Sequence, residues 1–343
     1  MKLRIKWTNL FVYLAVSVFS LSISSQAIAL DDGARAYWKM RDGSNVVSTQ
    51  YLSLDLQATG AQAFDPAHYI YANADAEADI FLLSYSRHLT LLGRPSSVAF
   101  NLVGGSVDVS VNTSLSPVPF LPTGVAPGAT FSESTSGFGD PSVQFDVNLF
   151  GTPPLKSTVD LLNYEPRFTI DAALMLAAPI GEYDSSKLVN MGLNRFYGRI
   201  ALPMKLHLGR FAPGYMTSVE VIPSVWLFDD NSNFLGQNLE NDPLWQIEGH
   251  VTHDFTRTLS GSLDILYRNG FQSTIDGAQV GNKVEVGDVG VSLTTQITDN
   301  VALRGGFSSN LFGDSNIDNS VVRLQFIYGW HKLNENMKKL KGH

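Results

Sequence analysis

The chain contains no cysteine, so it must be held together without disulfides, and anchorage as a cysteine-linked lipoprotein is excluded. Basic residues are also scarce: 24 Lys and Arg face 32 Asp and Glu, a formal net charge of −8. A nucleic-acid partner, which needs a basic face to meet phosphate, is not expected. No apolar run after residue 29 reaches the ~20 residues that a membrane helix needs. The seven histidines are scattered without metal-site spacing, so neither a metal nor another cofactor is expected.

What the sequence does have begins with an export signal. Residues 1–29 combine a basic start (Lys2, Arg4, Lys6), an apolar stretch from Leu10 to Ile23, and small residues at Ala27 and Ala29. That is the layout of a cleavable signal peptide. With these three basic residues removed from the −8 total, the mature chain stands at −11.

Beyond residue 30 the dominant signal is alternation. Val143, Phe145, Val147 and Leu149 interleave with Ser142, Gln144, Asp146 and Asn148. Successive strand side chains point to opposite faces, so this stretch has one apolar and one polar face. The same period recurs from Phe168 to Ala177 and from Phe196 to Leu208. Applied throughout, the template gives twelve strands at 44–57, 76–89, 97–111, 139–150, 167–178, 195–208, 215–228, 244–255, 259–269, 284–297, 301–311 and 320–330. Most run to about ten residues, the length of a tilted membrane-spanning strand rather than of a globular one.

Long polar connections follow the odd-numbered strands, and very short ones such as FTRT near Thr256 occur elsewhere. Outer-membrane barrels place long loops outside and short turns in the periplasm. The expected fold is therefore all-β: a twelve-stranded antiparallel transmembrane β-barrel over residues 30–330, in a bacterial outer membrane, with both termini periplasmic. Residues 331–343 read as a basic periplasmic tail. The turn GTPPLKSTVDLLNYEP is longer than the pattern prefers and has room for a short helical turn. In the seventh strand, a bulge at Pro223 would bring Val219, Val221 and Trp226 to one face. The second strand, DIFLLSYSRH, is apolar on both faces. Trp38, Trp226, Trp245 and Trp330 fall two at each expected interface, as girdle residues would. Gly104 and Gly105 suit a bulge or a close approach of strands.

Lipid cannot satisfy a sheet edge, so the strands must close and send their polar faces inward. The expected lumen residues are Asp146, Asp171, Arg199, Lys205, Glu248, Asp264, Arg268, Arg304 and Arg323. Two readings stay open: charges of both signs lining a hydrated passage, or charges pairing with one another and filling a barrel of intermediate size. In the third outer loop, Tyr183, Asp184, Asn190, Asn194 and Arg195 either contact a solute and gate the barrel or brace the loop through their own hydrogen bonds.

An outer-membrane hydrolase is the main alternative of another class. His250, Thr252 and Asp254 share one strand face with His253 next door, but polar alternation alone produces that spacing, and no H-x-S pair accompanies it. A structural or adhesive surface barrel is a third reading. Oligomeric state is left open.

The segments GARAYWKMRDGSNVVSTQYLSL, SGFGDPSVQFDVNLFGTPPL, APIGEYDSSKLVNMGLNRF and VWLFDDNSNFLGQNLENDPLWQIEGHVTHDF resemble, in order and over nearly the whole mature chain, the outer-membrane transporter family associated with meta-cleavage pathways of phenol degradation. The resemblance implies a barrel, inserted by the outer-membrane assembly machinery and surrounded by lipid, that passes small hydrophobic or aromatic molecules inward by diffusion. The lysine-rich ending departs from the family's usual close near the last strand.

Overall fold

The structure, a computed structural model, describes residues 32–63, 70–115, 130–280, 283–313 and 317–331. The expected signal peptide, residues 1–29, and residues 332–343 of the expected tail lie outside the described residues.

Membrane-length strands come first: β1 (Ser44–Ala63), β2 (Ile70–Leu91) and β3 (Arg94–Leu115). The fourth stave of the wall is β4 (Thr130–Phe138) continued by β5 (Ser142–Phe150). Both pair with β3, and one extra residue at Gly139–Pro141 shifts the register between them. A periplasmic turn containing helix α1 (Thr158–Leu162) leads to β6 (Phe168–Ala177), so the long turn does hold a helical turn. Ser157 caps α1 in a capping box with Asp160.

The sixth stave is split into β7 (Tyr197–Ala201) and β8 (Met204–Leu208) and faces β9 (Thr217–Phe228). Ala201 opposes Ser224 and Met204 opposes Val221, so the register does not change across the split. The gap arises because Pro203 and Pro223 supply no N–H to the ladder where they face the neighbouring stave. The bulge expected at Pro223 is absent: β9 pairs residue for residue with β12 (Leu244–Asp254) from Thr217 to Trp226. Val219 and Val221 therefore face outward and Trp226 inward.

The wall continues through β13 (Leu259–Gly270), β16 (Val284–Gln296), β17 (Val301–Gly313) and β18 (Ile317–His331), and β18 pairs with β1 over fifteen residue pairs from Ser44↔His331 to Ala58↔Ile317. All neighbours are antiparallel and the sheet closes as a twelve-stave barrel. The connections β9–β12 and β13–β16 carry β10 (Asn231–Phe234), β11 (Gln237–Asn241), β14 (Ser273–Ile275) and β15 (Ala278–Val280), which form a separate four-stranded sheet at the outer end. Two of the expected long loops are instead strand: only residues 64–69 separate β1 from β2, and only 314–316 separate β17 from β18.

The outward positions carry the apolar belt, including Phe81, Leu83, Phe100, Leu102, Leu174, Ile247, Val291, Phe307, Leu324 and Phe326, all exposed. On a soluble surface such a belt would aggregate; in lipid it is the solvated face. Ile80 and Leu82 of β2 point the other way, into the lumen, which explains why that strand reads as apolar on both faces. Gly104 and Gly105 mark a close approach and not a bulge, because β2 and β3 pair without interruption from Ile70↔Leu115 to Leu91↔Arg94. A Cβ at Gly105 would lie 2.1 Å from the Asp79 carbonyl oxygen.

Candidate functional site

The lumen is not empty of protein. Residues 32–43, before the first strand, run inside the barrel and are fastened to one sector of its wall. Glu220 of β9 accepts from the Arg35 backbone N–H at 3.1 Å and from Trp38 Nε1 at 2.9 Å. Arg35 reaches on to Thr252 (3.0 Å) and Asp254 (2.7 Å) of β12, and its guanidinium lies over the Trp38 ring at 4.4 Å. Lys39 sits between Asp146 (2.7 Å) and Asp171 (3.3 Å). Lys205 joins the same Asp171 and also donates to the Tyr37 carbonyl. Asp32 accepts from Arg199 at 2.8 Å, and its backbone N–H donates to Glu248 at 3.0 Å. Near the periplasmic end, Trp38 rests against His207 and Phe211, which also meets Tyr164. The segment ends where Arg41 donates to Thr158 of the α1 turn and contacts His331 of β18.

The nine residues expected in the lumen all project inward. Asp146, Asp171, Arg199, Lys205 and Glu248 are buried in the contacts just described. Arg268 pairs with Asp288 at 2.5 Å, and Asp264 with His250 at 2.7 Å. Arg304 donates to Thr294 and to the Ala34 carbonyl. Gly33, at φ +77°, passes so close to Arg304 and Arg323 that a Cβ there would come within 3.1 and 3.2 Å of their guanidinium nitrogens; the left-handed dihedral favours glycine. Charge pairing thus fills one sector of the lumen.

The opposite sector is open. A cavity of about 810 Å³ runs between the luminal segment and the wall made by β1, β2, β3, β5, β17 and β18. Its lining is mixed: the neutral polar side chains Ser48, Gln50, Ser84, Asn101, Gln144 and Gln325 alternate with apolar ones such as Val46, Leu82 and Ile327 and with charges such as Lys39, Asp146 and Arg304. The outer end of the cavity is Met175 and Trp226. Trp226 also belongs to an apolar cluster further out, carried by β6, β7, β9, β12, β16 and the adjoining loops, with Ala177, Leu193, Tyr197, Leu244, Phe271, Val284 and Val286, and Met175 and Phe228 pack against it. Tyr197 stacks on Phe228 and Phe228 meets Phe271 edge-on, at centroid separations of 6.2 and 4.8 Å. The lumen therefore changes character along its axis, from apolar at the outer end to a mixed polar, charged and apolar lining inside.

Two of the four tryptophans placed in girdles by their sequence position are luminal: Trp38 lies in the inner segment and Trp226 in the apolar cluster. Trp245 is on the outer surface, 63% exposed, and Trp330 stands at the periplasmic rim beside Tyr328.

The five residues singled out in the third outer loop bind one another and the neighbouring loop. Asn190 accepts from the Asp184 N–H at 2.7 Å and donates back to the Asp184 carbonyl. Asp184 takes the hydroxyl and backbone N–H of Ser186, and these bonds hold its carboxyl below the usual aspartate range. Tyr183 accepts from Asn231, and burial raises its phenol. Asn194, at φ +54°, donates to Asn231. Arg195 donates to the Asp229 carbonyl and lies over Phe228; burial pushes it down to about 10. Asp140, in the β4–β5 break, accepts from Gly181 and Leu193, while Glu133 of β4 accepts from Leu188 and Val189. The loop is thereby stitched to β4, which among the described residues pairs only with β3, and Leu193 reaches from it into the apolar cluster.

The His250 imidazole faces two carboxylates, Asp264 and Glu248. Thr252 Oγ1 is engaged with Arg35 and Ser218, so the trio on that face has no hydroxyl presented to the histidine. Among the described residues, no group of three or more Asp, Glu or His is placed to hold a metal ion.

Residues 64–315, well over half of the chain, match the family described as "Putative MetA-pathway of phenol degradation". The chain belongs to this family. No curated protein sequence matches it. Among solved structures, an outer membrane channel from Pseudomonas putida F1 superposes with a TM-score of 0.64 at 17% identity, covering 88% of this chain and 100% of that one. The transport unit of the autotransporter AIDA-I from Escherichia coli gives 0.48 at 9% identity, over 92% and 98% of the two chains. The first likeness establishes the fold of this family member as that of an outer-membrane channel. A closed barrel with an apolar belt and polar interior belongs in the outer membrane.

Proposed function

We propose that this protein lets small molecules with an apolar or aromatic body diffuse inward across the outer membrane. The carrying observation is the continuity at Met175 and Trp226, where the aromatic outer lumen meets a cavity of about 810 Å³ that extends to the periplasmic rim at Asn300 and His331. An apolar solute gains roughly 25 cal/mol per Å² of surface removed from water, so the outer tier would concentrate such a solute above the passage. The inner cavity, where hydroxyl, amide and charged groups stand among the apolar ones, would return it to water. In this reading Asp146, Asp171, Arg199, Lys205 and Glu248 hold the luminal segment, and Arg304 and Arg323 border it. The loop residues Tyr183, Asp184, Asn190, Asn194 and Arg195 brace the outer cap. The assembly machinery of the outer membrane would insert the barrel, and a signal peptide would bring it there.

Purified, refolded protein in liposomes tests the reading. Uptake of a small aromatic solute above that of protein-free vesicles is the expected result. No uptake and no single-channel current, from protein shown to be folded, would remove the proposal.

A further inference from the structure

The alternation of β9 turns Trp226 inward, and there the indole joins two tiers of the lumen. It is 3% exposed, a member of the outer apolar cluster, and at the same time a wall of the inner cavity. Three side chains, Gln246, Glu248 and Arg199, close a circuit with it. Its Nε1 donates to Gln246 Oε1 at 3.2 Å, and Gln246 Nε2 donates to Glu248 Oε1 at 2.7 Å. Arg199 Nη2 donates to that same Glu248 oxygen at 2.7 Å, and the Arg199 guanidinium lies 5.3 Å from the centroid of the Trp226 ring. The luminal segment enters this circuit at two points through one residue: Asp32 accepts from Arg199 Nη1 at 2.8 Å and donates its backbone N–H to Glu248 Oε2 at 3.0 Å.

We propose that Trp226 is the residue that separates the two tiers of the passage and so limits which solutes cross, and that Arg199 makes its position depend on whether Asp32 is seated. The inference rests on the channel reading above. The chemistry suits a gate for aromatic bodies. An indole face can stack on an arriving ring, while a guanidinium that loses Asp32 keeps Glu248 and is free to move off the indole. Withdrawal of the luminal segment would then loosen the constriction as well as clear the space below it.

The test is permeation of a small aromatic solute and single-channel current through the full-length refolded barrel, in a cycle of Trp226→Leu and Asp32→Ala. Trp226→Leu keeps apolar bulk in the cluster but removes the indole, its N–H and its stacking face. Expected results are a severalfold increase in permeation for Trp226→Leu, an increase for Asp32→Ala in the native background, and no further increase when Asp32→Ala is added to Trp226→Leu. Trp245→Leu, on the lipid side, should leave permeation unchanged. Unaltered permeation in Trp226→Leu, or an Asp32→Ala gain of the same factor in both backgrounds, overturns the inference while leaving the channel reading in place. A folded native barrel that passes nothing overturns both. Should Trp226→Leu not fold, Trp226→Met is measured in its place: it too removes the ring under Arg199 and the tie to Gln246, and the same cycle decides the outcome.

Discussion

Arg35, in the luminal segment, meets Asp254, at the periplasmic end of β12, at 2.7 Å. The pair joins positions 219 residues apart in the chain and fixes the segment against one wall, leaving the cavity along the other. An obstruction held by ion pairs on one side is removable without unfolding the barrel, because the wall's own ladder does not depend on it.

Lys39 should anchor that segment more strongly than Arg35. Its side chain is 2% exposed and touches two buried carboxylates, whereas the Arg35 side chain is 16% exposed. Removing one partner of a buried ion pair costs about 3–5 kcal/mol, because the charge left behind is uncompensated. Lys205 still serves Asp171 after Lys39→Ala, so Asp146 bears most of the loss. Amide hydrogen exchange of residues 34–42 should rise more in Lys39→Ala than in Arg35→Ala, and channel current should become noisier in the same order. Equal exchange in both variants would contradict this ranking.

Gly105→Ala should destabilise the wall. The added Cβ would lie 2.1 Å from the Asp79 carbonyl oxygen and 3.0 Å from the Ile80 Cα, both backbone atoms of the paired strand. Neither can swing away as a side-chain tip would, so β2 and β3 must part locally. Overpacking of this kind typically costs about 1–3 kcal/mol. The temperature at which the folded barrel loses its compact migration in detergent gels should fall, while Gly236→Ala, with open space around its Cβ site but φ of +76°, should show only the smaller cost of a left-handed alanine.

The third outer loop should loosen in acid. Asp184 is held below the usual aspartate range by the Ser186 hydroxyl and backbone N–H. A carboxyl depressed in the folded state contributes its stabilisation above its unfolded pKa and loses it as pH falls through the folded value. Protection of the Ser186 amide, corrected for intrinsic exchange, should therefore hold at neutral pH and decline below the ordinary aspartate range. Asp184→Ala should lack that protection at every pH.

Much of the barrel was legible because lipid on one side and water on the other impose a period of two, as in Val143–Leu149. Alternation failed where both sides are apolar. In DIFLLSYSRH nothing local distinguishes Ile80 and Leu82, which face the lumen, from Phe81 and Leu83, which face lipid. The same ambiguity sent Trp226 to the wrong face. The luminal segment was hidden for another reason: Arg35, Lys39 and Trp38 find partners at Asp254, Asp146 and Glu220, contacts set by barrel closure and not by any neighbour in sequence. The outer hairpins carry a local turn signal of their own. Asp276–Gly277, with φ of 47° and 80°, is the two-residue turn that joins β14 to β15, and Leu235–Gly236 does the same for β10 and β11.

The opposite placements of Trp226 and Trp245 give the most direct check on the interior. Both stand at the outer end of paired strands, where Trp226 opposes Leu244 and Trp245 opposes Val225, yet one is 3% exposed and the other 63%. Paired residues share a face and successive residues along a strand alternate, so the Trp226–Leu244 pair contacts lumen side chains and the next pair, Trp245–Val225, contacts acyl chains. In vesicles made with brominated phospholipid, a variant retaining only Trp245 should be strongly quenched, and one retaining only Trp226 should keep most of its emission. A soluble quencher small enough to enter the cavity should reverse the contrast once the luminal segment is deleted, since Trp226 forms the outer wall of the space that deletion enlarges. Strong lipid quenching of Trp226 would instead return that strand to the bulged arrangement and remove the constriction from the lumen.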